Sequence, residues 1–270
     1  MLSALSVSSC LLLNNKAIAI VTDPNLVFYM NFEQMYASNK SNWTSGTYYV
    51  GNIATGPVTD IFQNISGAAA NPETTIVKNG LQSIYTVQAL FRQTNATYVF
   101  PQSTGLSFCV WNRMVGQNIA NTCGGVFGLD SSAGNNLFAL RMKSVGAVGS
   151  GAPYYINLSI NGNNYSGGGT DITSNQITNG VWNHIVWTIS PALYGATATH
   201  KVYLNNVLIY TNAALLYPTN AVRAYFDLGG NANNGCSIQY MDTFRLYKKE
   251  LTLSEVNNIY TNLDPNGLRV

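Results

Sequence analysis

Residues that could act as acids, bases or nucleophiles are few in this sequence. The 270 residues include 11 carboxylates and two histidines, His184 and His200. A serine triad needs a histidine with an acidic partner and an exposed serine on a strained turn, and no stretch has that pattern. Glu250 and Glu255 lie five residues apart, but Glu250 ends a predicted strand and Glu255 belongs to a predicted helix cap. We therefore expect no enzymatic activity.

The cysteines give no metal-binding pattern. Cys10, Cys109, Cys123 and Cys236 are widely separated and include no C-x-x-C pair. Structural zinc sites use such closely spaced pairs, so the sequence argues against zinc. Two alternatives stay open for Cys109 and Cys123. They form a disulfide, or they are small buried side chains, and we favour the second alternative.

The chain carries little charge. Charged residues make up 9% of it, against about a quarter in an average protein. The formal net charge is +2, and Lys248 and Lys249 are the only adjacent pair of basic residues. Binding to a phosphate backbone depends on clustered Lys and Arg, so the sequence predicts no nucleic-acid partner.

The segment from residue 181 to residue 210 predicts the centre of a sheet. Alternate residues of 181–189 form two faces, both mostly apolar, which is typical of a strand that is covered on both sides. Trp182 and Trp187 are expected to be buried, on opposite faces. A further strand from His200 to Leu204 then turns at Asn205-Asn206 into a third strand, because Asn tolerates the positive φ of a two-residue hairpin.

Two other local signals define elements outside this segment. Asn79-Gly80 predicts a hairpin between residues 74–77 and 81–85. Near the end, Thr252 and Glu255 have the spacing of a capping box that starts a helix. Leu253, Val256, Ile259 and Tyr260 then form an apolar stripe, which we expect to pack on the edge of the sandwich.

Three motifs occur in order along the chain. They are residues 26–33 (LVFYMNFE), the W-x-H strand at Trp182 with its Y-x-N-N hairpin at Tyr203, and residues 237–260. Together they resemble the laminin-G-like, concanavalin A-like jelly-roll family. The resemblance implies an all-β, antiparallel β-sandwich (concanavalin A-like jelly roll) with one short C-terminal helix. We predict an N-terminal arm at residues 1–24 and a laminin-G-like jelly-roll domain at residues 25–270.

The resemblance also indicates which sites to examine. Glycosidases of this superfamily carry E-x-D-x-x-E acids on one strand, and the chain has no such run. Asp242 matches an aspartate of the family's closing strand, and we expect it to bond a neighbouring loop. His184 falls at a motif position and is expected to be a hydrogen-bonded core histidine. Several relatives bind calcium, for which Asp130 is the one candidate, so calcium is the only cofactor left open and no metal ligand is assigned.

Two loops rich in Asn and Gly are the candidate carbohydrate-binding sites. They span residues 161–170 and 229–235 and offer amide side chains and one tyrosine that can stack on a sugar. The candidate ligand-binding residues are Asn161, Asn163, Asn164, Tyr165, Asn231, Asn233 and Asn234. Asn and Gly also form ordinary turns, and this is the alternative we favour.

The arm contains two apolar clusters ahead of the first predicted strand. Ala17-x-Ala19 imitates a cleavage site, but no basic residue precedes the first cluster and Lys16 lies beside the site, so we interpret the segment as an arm and not as a signal peptide. It is too short and too polar to span a membrane. We expect it to bind a partner, with these candidate contact residues: Leu11, Leu12, Leu13, Ile18, Ile20 and Val21.

Three functions are compatible with this fold, and the scarcity of acids argues against a hydrolase. The arm favours a structural protein, a minor capsid protein or other virion component whose partners are other structural proteins of a larger assembly. The alternative is a secreted or surface lectin-like module that binds a glycan, with an extracellular location instead of a virion one.

Overall fold

The structure is a computed structural model of the chain. It describes residues 12–13, 16–17, 23–30, 48–50, 61–64, 70–73, 76, 78, 83–87, 91–117, 123–131, 137–144, 153–162, 169–229 and 237–261. The elements in these residues are β1 (Leu12–Leu13), β2 (Lys16–Ala17), β3 (Leu26–Met30), β4 (Tyr48–Val50), β5 (Ile61–Asn64), β6 (Ala70–Glu73), β7 (Ser83–Val87), β8 (Phe91–Tyr98), β9 (Leu106–Gln117), β10 (Cys123–Asp130), β11 (Leu137–Ser144), β12 (Tyr154–Gly162), β13 (Thr170–Ile177), β14 (Asn183–Ile189), β15 (Thr197–Leu204), β16 (Val207–Leu216), β17 (Arg223–Leu228), β18 (Ser237–Tyr247) and α1 (Leu253–Tyr260).

Two antiparallel sheets of eight strands form a sandwich, which confirms the predicted jelly-roll class. Sheet 1 has the order β13-β12-β11-β10-β17-β8-β5-β4. Sheet 2 has the order β16-β15-β14-β9-β18-β7-β6, and β3 also pairs with β18. Strand β18 pairs with both β3 and β9, so sheet 2 joins segments that are far apart in sequence.

The core lies between the sheets and is rich in aromatic rings. Trp187 of sheet 2 stacks on Phe138 of sheet 1 at 4.3 Å between ring centroids, and Phe108 stacks on Phe127 at 4.6 Å. Trp187 is fully buried, as predicted. Every residue of β14 is buried, because its second face is covered as well.

Helix α1 covers the outward face of sheet 2. Val256 and Ile259 pack with Cys109, Val186 and Tyr247 in a second apolar cluster. The predicted capping box is present, since Thr252 Oγ1 accepts from the Glu255 amide and Glu255 accepts from the Thr252 amide at 2.8 Å. Leu253 was predicted in the buried stripe, but it is 58% exposed because it starts the first turn on the solvent side.

Several turns contain residues with positive φ, and these positions are occupied by Asn or Gly. Asn205 and Asn206 adopt φ of +50° and +67°, which confirms the two-residue hairpin. Gly105 has φ of +75°, and a Cβ placed there would lie 2.3 Å from the carbonyl oxygen of Ile189. Most residues of the hairpin predicted around Asn79-Gly80 lie outside the described residues. Strand β7 pairs with β6, with Glu73 opposite Ser83.

Candidate functional site

A group of aromatic side chains lies on the outward face of sheet 2, near Gly180. We call Tyr85, Arg113, Trp182 and Tyr240 the aromatic platform. In the register of the sheet, Tyr240 of β18 lies opposite both Tyr85 of β7 and Arg113 of β9. Alternation along these strands turns the side chains outward, since their neighbours Ile84, Met114 and Met241 are in the core.

The rings of the aromatic platform pack on one another. Tyr85 stacks on Tyr240 with 4.6 Å between centroids, and Trp182 lies 6.4 Å from Tyr240 at an angle of 59°. The Arg113 guanidinium lies 5.1 Å above the Tyr240 ring. Tyr240 is 9% exposed and forms the floor, whereas Tyr85, Arg113 and Trp182 are half-buried and remain open to solvent. Rigid aromatic rings with a guanidinium are suited to bind the apolar face and the polar groups of a ligand.

Trp182 is therefore not the core residue that its strand pattern predicts. It lies just before the start of β14, and it is not part of the cluster that α1 covers on the outward face. The sequence signals that could have found the platform are the alternation in β9, which puts Trp111 and Arg113 on one face, and the tyrosine two residues before Asp242 in β18. The register between these strands cannot be obtained from either signal.

A second ring group adjoins the platform. Trp111 lies between His184, at 4.9 Å, and Tyr260 of α1, at 5.5 Å. The Lys78 ammonium lies 4.2 Å above the Trp111 ring. Asp242 accepts from the Lys78 amide at 3.1 Å, which confirms the predicted bond between this aspartate and a neighbouring loop. These contacts hold Lys78 beside the platform.

Neither histidine has the surroundings of a catalytic base. His200 Nδ1 accepts from the Trp187 indole at 3.1 Å. His184 is buried as expected, but the expectation that it is hydrogen-bonded is wrong. Among the described residues, neither of its nitrogens has a hydrogen-bond partner, because the rings of Trp111 and Tyr260 pack against it. Burial, together with the charges of Arg245 and Lys78, lowers the pKa of His184 to about 3, so the ring is neutral.

Most polar side chains on the outward face of sheet 1 bond to each other. Arg92 forms a two-bond ion pair with Asp227 at 2.7 and 2.8 Å, and Asp227 is 1% exposed. A second network links Arg141 to Asn157, Asn157 to Asp171, and Asp171 to Lys143. Burial would raise the pKa of Asp171, but the bonds from Lys143 and Asn157 outweigh it and lower that pKa. These bonds stabilise the sheet and engage the named groups within the protein itself.

The two loops predicted to bind carbohydrate start from separate places in sheet 1. Leu158 and Leu228 lie in one cross-strand row, three strands apart. Strands β12 and β17 run in opposite directions. Asn161 therefore lies three residues to one side of that row, and Gly229 lies one residue to the other side. At about 3.3 Å per residue and about 4.8 Å per strand, the two loop bases are about 20 Å apart. The loops therefore do not start from one common site.

Asn161 is the one predicted ligand-binding residue that the structure describes. It has φ of +51°, and its Oδ1 accepts from the Thr219 amide at 3.0 Å and from Arg223 Nη2 at 3.5 Å. Its Nδ2 donates to the Tyr217 carbonyl at 3.4 Å. These contacts favour the turn-forming alternative, and a ligand role for Asn161 stays a prediction. The other candidates lie outside the described residues: Asn163, Asn164, Tyr165, Asn231, Asn233 and Asn234.

No metal-binding site is assigned to the described residues. Within the described part of the chain, no group of three His, Cys, Asp or Glu residues is placed to hold an ion. Asp130, the calcium candidate, is buried on β10 opposite Tyr225. Calcium binding stays an open prediction. Cys109 is free and fully buried, and burial raises the pKa of its thiol to about 12.

Four residues of the predicted arm form a ladder of their own. Leu12 lies opposite Ala17 and Leu13 opposite Lys16, in a two-stranded sheet separate from the sandwich sheets. Leu11, Ile18, Ile20 and Val21 lie outside the described residues. Asp23 falls inside the predicted arm, yet its carboxylate accepts from Lys249 at 3.0 Å and from the Asn25 amide at 2.9 Å. No helix in the described residues is long and apolar enough to cross a bilayer.

The sequence model of the concanavalin A-like lectin/glucanases superfamily matches residues 91–257, which is more than half of the chain. The chain belongs to this family. The match includes β8 to β18 and the first five residues of α1, together with Arg113, Trp182 and Tyr240 of the aromatic platform. A comparison with curated proteins gave no match.

Solved structures show the same fold at low sequence identity. The chain is similar to domain 4 of AbnA, a GH43 extracellular arabinanase from Geobacillus stearothermophilus in complex with arabinotriose. The identity is 16%, the TM-score 0.52, and 87% of this chain and 98% of that chain are covered. It is also similar to the binding domain of Paraclostridial Mosquitocidal Protein 1, with 13% identity, a TM-score of 0.54, and 87% and 52% coverage. The chain thus spans about half of that toxin domain.

A third similarity is to the Trypanosoma rangeli sialidase in complex with the inhibitor DANA. The identity is 11%, the TM-score 0.52, and the match covers 87% of this chain and 32% of that chain. These comparisons fit the lectin-like alternative better than the virion prediction, on which none of them bears.

Proposed function

We propose that the protein is a non-catalytic carbohydrate-binding module whose ligand stacks on the aromatic platform. The observation that carries the proposal is the half-buried Trp182 beside Tyr240, Tyr85 and Arg113. Sugar rings have an apolar face that matches an aromatic ring, and polar edges that match a guanidinium. Membership of the lectin/glucanase superfamily supports a saccharide as the ligand.

A binding role without catalysis is supported by the state of the two histidines. His184 is neutral and surrounded by rings, and His200 is bonded to Trp187 inside the sandwich. The complex of the arabinanase domain 4 with arabinotriose shows that a domain of this fold can hold a short saccharide. Its extracellular parent enzyme supports the extracellular location predicted as the alternative.

The proposal is tested by binding to a panel of soluble polysaccharides in affinity electrophoresis, followed by calorimetry with any polysaccharide that retards the protein. Loss of the Trp182 ring removes about 1.5–3 kcal/mol of apolar contact, so Trp182→Ala should weaken binding about 10- to 100-fold. Tyr155→Ala is the matched control, because Tyr155 is a half-buried aromatic on the outward face of sheet 1. Equal binding by both variants would refute the assigned site.

A structural role in an assembly is the second candidate, and strand β16 favours it. This ten-residue strand is at the edge of sheet 2 and contains no charged residue and no proline. Val207, Leu208 and Leu216 on it are exposed. Edge strands normally carry charged residues or prolines, which prevent pairing with other chains. Leu208→Lys should therefore reduce any self-association of the chain in sedimentation experiments, and an unchanged profile would remove this support.

A further inference from the structure

Arg113 is held in a fixed orientation at the edge of the aromatic platform. Its Nε donates to the carbonyl oxygen of Gly180 at 2.7 Å, and its guanidinium carbon lies over the Tyr240 ring, 5.1 Å from the ring centroid. The Gly180 amide in turn donates to the Met114 carbonyl at 2.7 Å, which fixes the turn that receives Arg113. The side chain is thus ordered before any ligand arrives.

The two terminal nitrogens of Arg113 are not used by the described part of the protein. Nη1 and Nη2 have no hydrogen-bond or ion-pair partner among the described residues. Two other arginines differ from it. Arg92 is paired with Asp227 through two bonds, and Arg223 donates to the carbonyls of Thr219 and Ala221. Arg113 therefore presents an open pair of parallel N–H donors beside half-buried rings.

Among the described residues, no acidic side chain forms an ion pair with the terminal nitrogens of Arg113. Asp242, two residues from Tyr240, is fully buried and accepts from the Lys78 amide and the Thr243 hydroxyl. The Lys78 ammonium over Trp111 adds a second cation on the same face. An anion that approaches Arg113 thus meets positive charge and aromatic surface together.

We propose that the ligand of the aromatic platform is a saccharide with a carboxylate group, and that Arg113 selects it; this inference rests on the proposed function. A carboxylate accepts two parallel bonds from a guanidinium, a geometry that a sugar hydroxyl cannot reproduce. The apolar face of the same sugar or of its neighbour stacks on Trp182. Arg113 is a specificity residue and Trp182 supplies contact for any sugar.

The test compares carboxylated saccharides with the same saccharides after chemical reduction of the carboxyl group. Oligogalacturonate, alginate oligosaccharide and sialyllactose are titrated in calorimetry against the full chain, each beside its reduced form. Charge-assisted bonds contribute about 1.5–3 kcal/mol, so we expect about 10- to 100-fold tighter binding of at least one carboxylated form. Arg113→Gln should remove that preference, and Arg113→Lys should restore only part of it, because an ammonium lacks the two-bond geometry.

The outcomes separate this inference from the proposed function. Equal affinity for a carboxylated and a reduced form, with binding still lost in Trp182→Ala, overturns the carboxylate and keeps the carbohydrate-binding function. Selective binding that survives Arg113→Gln overturns the role of Arg113. Absence of binding to every carboxylated, reduced and neutral saccharide overturns both. Melting temperatures of the variants show that any loss is not caused by unfolding.

Discussion

Replacement of His184 by phenylalanine is expected to make the protein less sensitive to acid. The His184 ring packs against both Trp111 and Tyr260, at 4.9 and 5.7 Å between centroids, and is fully buried. Burial, and then the charges of Arg245 and Lys78, lower its pKa from 6.5 to about 3. Phenylalanine fits among the same rings and cannot take up a proton.

The magnitude follows from the two pKa values. Below pH 6.5 the unfolded chain binds a proton at this residue, whereas the folded protein does so only near pH 3. The free energy of unfolding therefore has its full value above pH 6.5, as far as His184 is concerned, and decreases progressively as the pH falls toward 3. At pH 5, about 1.5 units below the unfolded pKa, protonation of the unfolded chain lowers the free energy of unfolding by about 2 kcal/mol.

The assay is urea denaturation of the wild type and His184→Phe at pH 8, 6.5 and 5. All other groups titrate alike in both proteins, so the difference between them isolates His184. Thr188→Val is the matched control, because Thr188 is buried on the same face of β14 and does not titrate. It should change the free energy of unfolding equally at every pH. If His184→Phe loses as much stability as the wild type between pH 8 and pH 5, the neutral buried histidine is refuted.

Three further predictions concern the core, a turn and the arm. Trp187→Ala should lower the free energy of unfolding by about 3–5 kcal/mol, and an unchanged denaturation midpoint would contradict its central place in the core. Gly105→Ala should cost more than about 1–2 kcal/mol in the same assay, because of its positive φ and its contact with the Ile189 carbonyl; a neutral effect would contradict that geometry. Deletion of residues 1–22, which keeps the contact between Asp23 and Lys249, should leave the melting temperature nearly unchanged. The same deletion should abolish incorporation of the chain into a larger assembly. A truncated chain that unfolds, or that assembles normally, would contradict the arm's predicted role.

The centre of sheet 2 could be predicted because its signals are local. Two apolar faces defined β14, two Asn residues defined its following hairpin, and the Thr252 capping box defined α1. Strands β13 and β17 were not predicted. Their polar residues, such as Asp171 and Asp227, are explained only by partners on neighbouring strands.

The aromatic platform could not be predicted for the same reason. Its four residues come from three strands and one turn, and the register of β18 against β7 and β9 brings them together. The apolar pattern placed Trp182 in the core, because a pattern does not show where α1 stops covering the sheet. Loop composition indicated sugar binding at residues 161–170 and 229–235, where Asn161 is engaged by the protein itself.

The most direct test of the carbohydrate-binding function is the position of the bound ligand. The chain has four tryptophans, and their indole N–H groups can be followed separately by ¹⁵N NMR after assignment by substitution. During titration with a saccharide that the protein binds, the Trp182 signal should shift in proportion to occupancy, while the signal of the fully buried Trp187 should stay in place. Saturation of the protein with saccharide while the Trp182 signal remains unchanged would contradict the proposed site.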